Sequence, residues 1–127
     1  MKKLLLLLLI LTSCQKENNI EKTITKGTWT ISNYVDNGND ETYHFNGYKF
    51  NFNDNGGLIA TLNSNQVAGN WSKNDDDSST KLNILFSQTP LDELNDDWDI
   101  ITISESTIEL QDISGDGEID YLKFIKN

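Results

Sequence analysis

The chain has 127 residues, enough for one domain and too few for two, and it sets 20 Asp and Glu against 10 basic residues for a formal net charge of −10. All the basic residues are lysine, His44 is the one histidine and Cys14 the one cysteine, which excludes a basic nucleic-acid surface and leaves no Ser-His-Asp or Cys-His triad without His44. The missing arginine removes the fork that best clamps phosphates, a histidine-based zinc site would hold a single imidazole, and no Gly-rich phosphate loop or Gly-x-Ser-x-Gly elbow occurs, so the composition argues against an enzyme.

Met1-Lys2-Lys3 is a short basic start, residues 4–11 are uninterrupted aliphatics, and Thr12-Ser13 are small residues before Cys14, the layout of a signal peptide. As a helix the aliphatic run would measure about 12 Å against about 30 Å of bilayer hydrocarbon, too short for a permanent span. Leu11-Thr12-Ser13-Cys14 resembles the lipobox of bacterial lipoproteins. The resemblance implies a diacylglycerol thioether on Cys14, cleavage before it and acylation, with palmitate or a similar chain, of the new amino terminus. It also implies an envelope address at the outer membrane, held by several acyl chains where one would bind only marginally. Cleavage would remove Lys2 and Lys3 and leave 114 residues with eight lysines against twenty acids, a side-chain balance of −12.

Residues 15–26 are polar and lack aromatics, so the expected organisation is a signal peptide at 1–13, a lipidated flexible tether at 14–26 and one domain at 27–127. Gln15-Lys16-Glu17 resembles the lysine-plus-acid signal that places some lipoproteins on the outer face of the outer membrane. A generic polar tether reads equally well, which leaves periplasmic and surface exposure both open.

From Gly27 onward short β-prone runs alternate with turn clusters, an all-β pattern. Eight strands are predicted at 28–35, 43–53, 58–62, 66–72, 81–86, 98–104, 107–111 and 119–125, with one helical turn at 90–95. Asp36-Asn37-Gly38-Asn39, Asn53-Asp54-Asn55-Gly56-Gly57, Asn63-Ser64-Asn65 and Ser114-Gly115-Asp116-Gly117 supply turns, and the short connections favour antiparallel neighbours. One face of each run is apolar at period two: Tyr48, Phe50 and Phe52; Leu58, Ala60 and Leu62; Leu82, Ile84 and Phe86; Ile101 and Ile103; Ile108 and Leu110; Leu122 and Phe124. Eight such strands suit an antiparallel up-and-down barrel, with a two-sheet sandwich as the alternative of identical alternation.

Gly27-Thr28-Trp29, opening the first strand of an eight-stranded barrel, resembles the signature of lipocalins, and Gly69-Asn70-Trp71 repeats it. The resemblance implies a lipocalin-like barrel whose base is closed by Trp29. The chain departs from the family where an arginine near the end usually packs on that tryptophan, since the corresponding region offers only Lys123 and Lys126, and the Thr-Asp-Tyr turn signature is missing.

Three candidate sites follow. The barrel interior would be walled by Trp29, Tyr48, Phe50, Phe52, Trp71 and Phe86, and large rings in a barrel about 20 Å tall either fill it or leave room for one small ligand. Asp112, Ser114, Asp116 and Asp120 fall at positions 1, 3, 5 and 9 of a calcium-type loop, with Glu118 among them as a further candidate and Gly117 at the turn. Position 12 is Lys123 rather than Glu and both flanks alternate as strands, so an acidic hairpin turn is the stronger expectation. The acid run at 75–77, with Asp92-Glu93 and Asp96-Asp97, reads as solvated loop, Trp98 as strand packing and His44 as an exposed strand position.

These readings give a lipid-anchored, non-catalytic envelope protein with no cofactor beyond the lipid on Cys14. The first expected function is holding a small apolar or amphipathic molecule in the barrel. The alternative is a filled barrel whose acidic exterior docks an envelope protein, with weak calcium binding at 112–120 as a lesser alternative.

Overall fold

The computed structural model describes residues 20–76 and 79–127; the expected signal peptide, Cys14, the segment 15–19, Asp77 and Ser78 lie outside the described residues. The described strands are β1 (Trp29–Asp36), β2 (Asn39–Asp40), β3 (Tyr48–Phe52), β4 (Gly57–Leu62), β5 (Asn65–Asp76), β6 (Ser79–Leu85), β7 (Asp96–Ile103), β8 (Thr107–Ile113) and β9 (Ile119–Lys126). From β3 to β9 each strand pairs antiparallel with the next, β1 pairs with β3, and β9 returns to β1 in a register running from Trp29↔Lys126 to Val35↔Tyr121. The sheet therefore closes into an eight-stranded barrel with β2 as a two-residue extension on β1, which settles barrel against sandwich. Closure also leaves the eight barrel strands without the unpaired edge on which chains aggregate.

The period-two pattern explains the closure. Phe50, Phe52, Leu58, Ala60, Leu82, Ile84, Ile108, Leu110, Leu122 and Phe124 point inward and none is more than 1% exposed, while their polar neighbours face water. β7 departs from the expected face. A bulge between Ile100 and Thr102 changes the phase, so Ile100 and Ile103 pack on the core and Ile101 is exposed.

The run at 43–53 is not one strand. Thr42–Phe45 forms a 3-10 turn, because the Asp40 carboxylate accepts from the Thr42 backbone N–H at 3.0 Å and the Thr42 hydroxyl at 2.6 Å, while His44 N–H donates to the Glu41 carbonyl at 3.1 Å. Local side-chain bonds thus outcompete the β preference of Tyr43 and Phe45. Phe45 is still buried, edge-on to Tyr34 with centroids 5.4 Å apart. The expected turn at 90–95 is found as a second 3-10 turn, Leu91–Leu94.

Residues 20–24 are helical and Ile24 is fully buried, so the folded unit begins within the segment expected to be tether. In the antiparallel order this helix lies at the end of the barrel with the β3–β4 and β7–β8 turns, and the two 3-10 turns lie at the other end with the β8–β9 turn.

Candidate functional site: a filled interior and an acidic end

The six expected wall residues come together in the barrel and occupy it. Phe50 is edge-on to Phe124 at 5.4 Å and to Phe86 at 6.4 Å, Tyr48 lies 6.2 Å from Phe50, and Phe52 bridges Phe124 at 5.6 Å and Trp71 at 5.8 Å. With Tyr34 and Phe45 above, the rings form a continuous column along the barrel. Trp29, Phe50, Phe52 and Phe86 are at most 2% exposed, so nearly all of their surface is packed against protein. Trp71 differs: it borders an open depression of about 330 Å³ on the outside of the helical end, shared with Glu21, Asp54, Asn55, Gly56, Ser72 and Lys73.

Each tryptophan uses its indole N–H to hold a backbone carbonyl. Trp29 donates to Ile24 at 2.9 Å, Trp71 to Asn53 at 2.8 Å and Trp98 to Leu94 at 2.9 Å. Trp29 closes the helical end, and the Lys126 ammonium sits 4.7 Å from its ring centroid. Lysine thus supplies the cation over the first tryptophan that the resemblance to lipocalins assigns to arginine. Gly69, in the second Gly-x-Trp copy, lies inside β5, where an added Cβ would stand 2.5 Å from the Leu85 carbonyl oxygen and 2.6 Å from the Phe86 ring. It is there because β6 approaches too closely for any side chain.

The opposite end is acidic. Segments 36–45, 91–97 and 112–120 hold more than half of the twenty Asp and Glu and no lysine. The calcium-type loop does not converge on one point. Its tip is a turn in which Asp116 accepts from the Ser114 hydroxyl and from Glu118 N–H, the latter at 3.1 Å, and Ser114 N–H donates to the Glu118 carbonyl at 2.9 Å. These bonds hold the Asp116 carboxyl below its ordinary value. Asp112 and Asp120 face one another across β8 and β9 and meet Asp96 of β7 instead, with carboxylate oxygens within 4.8 Å. Burial, a hydrogen bond to Asp96 and the charges of Asp96, Asp120 and Asp99 push the Asp112 carboxyl up to about 6. Asp36 is raised as well, by burial and by Asp120.

His44, expected on a strand, lies in the first 3-10 turn with Nδ1 2.9 Å from Glu93 Oε1 and 3.4 Å from Glu41 Oε2. Neither Asp96 nor Glu93 announced these contacts in the sequence, because both meet partners at least sixteen residues away through barrel closure.

The fold defines the class as a closed, antiparallel, lipocalin-like barrel. No protein-family model and no curated protein sequence matches the chain. Among solved structures it is similar to the crystal structure of a DUF4847 family protein from Bacteroides vulgatus, with a TM-score of 0.55 and 15% sequence identity over 85% of this chain and 97% of that one. At that identity the likeness concerns the fold alone.

Proposed function

We propose that this chain is a non-catalytic envelope lipoprotein, anchored through a lipid on Cys14, whose filled barrel is a rigid scaffold presenting an acidic end to a partner protein with a basic surface. The observation that carries this reading is the occupied interior. An apolar ligand would have to displace Phe50, Phe52 and Phe86, each at most 2% exposed and packed against neighbouring rings, whereas the concentration of carboxylates at one end needs no rearrangement to attract a basic partner. The N-terminal helix sits at the other end, so an anchor on Cys14 turns the acidic end away from the membrane.

Crosslinking in cells tests the docking surface. Replacing Asp96, Asp112 and Asp120 together by Asn is expected to abolish partner crosslinks formed from the β8–β9 turn, and unchanged crosslinks sink the reading. The anchor is tested separately: Cys14→Ser is expected to move the protein from the membrane to the soluble fraction. Native mass spectrometry of the purified chain is expected to show no bound apolar ligand, and a co-purifying lipid would restore the barrel-cavity reading in its place.

A further inference from the structure

We infer that Glu41, His44 and Glu93 form a binding site for a divalent transition-metal ion of the zinc type. The three side chains come from two turns that barrel closure brings together, and one nitrogen and two carboxylate oxygens lie within 4.8 Å of one another. Ligand atoms about 2.1 Å from a tetrahedral ion stand about 3.4 Å apart. His44 Nδ1 is 3.4 Å from Glu41 Oε2 and 2.9 Å from Glu93 Oε1, so both imidazole–carboxylate separations are within about half an ångström of that spacing, and the three atoms together lie within side-chain reach of one ion.

The surrounding hydrogen bonds hold the two turns that carry these side chains. Glu41 N–H donates to the Tyr34 carbonyl at 2.9 Å, the Tyr34 hydroxyl donates to the Glu93 carbonyl at 2.9 Å, and the Tyr43 ring lies edge-on to the imidazole with centroids 4.4 Å apart. One strand residue, Tyr34, therefore ties the two turns together. Each ligand side chain is about a quarter exposed, which leaves a path for the ion and a fourth position for water. A neutral imidazole and two carboxylates carry a charge of minus two, which a divalent ion balances. Imidazole nitrogen distinguishes this trio from the all-oxygen Asp96, Asp112 and Asp120 group and favours a transition metal over calcium.

The same contacts suit an imidazolium clamped between two carboxylates, and zinc titration of the intact chain at pH 7.5 decides between them. Expected is one equivalent of zinc bound, weakened at least about tenfold by His44→Gln and by Glu93→Gln and unchanged by Asp112→Asn. Zinc should raise the melting temperature of the parent chain and not that of His44→Gln, and cobalt in its place should show the visible absorption of a tetrahedral site. Failure of the parent chain to bind zinc overturns the inference, as does binding that His44→Gln leaves intact, which would place the ion on the carboxylates alone.

Discussion

The two ends of the barrel are closed by one device applied to opposite chemistry. At the helical end Trp29 holds the carbonyl of Ile24, five residues upstream, and at the acidic end Trp98 holds that of Leu94, four residues upstream. In both, a short helical turn is fastened to the strand it feeds by a buried indole, and an aliphatic residue of that turn, Ile24 or Leu94, is fully buried as the plug. Around the first indole the charge is a lysine, Lys126; around the second turn stand Asp92, Glu93, Asp96 and Asp97. The helical end is thus a structural seal, while the acidic end has a similar seal beneath a rim of like charges whose repulsion opposes it.

Removing each indole in turn gives the largest test of that equivalence. Trp29→Ala and Trp98→Ala should each cost about 3–5 kcal/mol, from the lost ring and from a backbone carbonyl left without its donor. Equal losses in urea denaturation would support two equivalent seals; a loss at only one end would show that the other turn is held by something else. Gly69→Ala separates these seals from the wall between them. It should destabilise by about 3 kcal/mol, because the new methyl would meet the Leu85 carbonyl of β6 rather than a flexible side chain. Lys126→Met keeps the apolar stem over Trp29 and removes the charge, and should cost about 1 kcal/mol, with Lys126→Arg restoring it.

The barrel wall was far more legible from sequence than either end. The alternation of Phe50 with Phe52 or Leu122 with Phe124 fixes the inward faces through a period that needs no knowledge of the partner strand, whereas Gly27-Thr28-Trp29 marks the sealing indole but not the helix and Ile24 that it holds, which read as tether. Where the signal was local but bulged, as at Ile100 and Thr102, the phase was lost and Ile101 was assigned to the wrong face. The acidic end depends on distant pairs: Glu93 meets His44 across 49 positions, and Asp96 reaches Asp112 only because β7 lies beside β8. Tyr43 and Phe45 misled for a different reason, since their β preference is overridden by the hydrogen bonds of Asp40 to Thr42, a competition that propensity does not contain.

The smallest effect belongs to the acidic rim and runs opposite in sign to the others. Asp112 is raised from its ordinary 3.8 to about 6, first by burial and then by Asp96, so the fold favours its protonated form. That contribution is fully present below about pH 4 and is lost as pH rises through about 6, where the carboxylate forms beside Asp96 and Asp120. Asp112→Asn keeps a donor toward Asp96 at every pH, and should therefore leave stability unchanged at pH 4 and raise it at pH 7.5. Because the carboxyl is partly exposed and solvent screens its neighbours, the gain is about 0.5 kcal/mol, a shift of a degree or two in melting temperature. Melting curves of the two proteins at both pH values measure the difference directly. A gap that is already open at pH 4 would mean that the substitution acts through packing and that the rim does not oppose the seal beneath it.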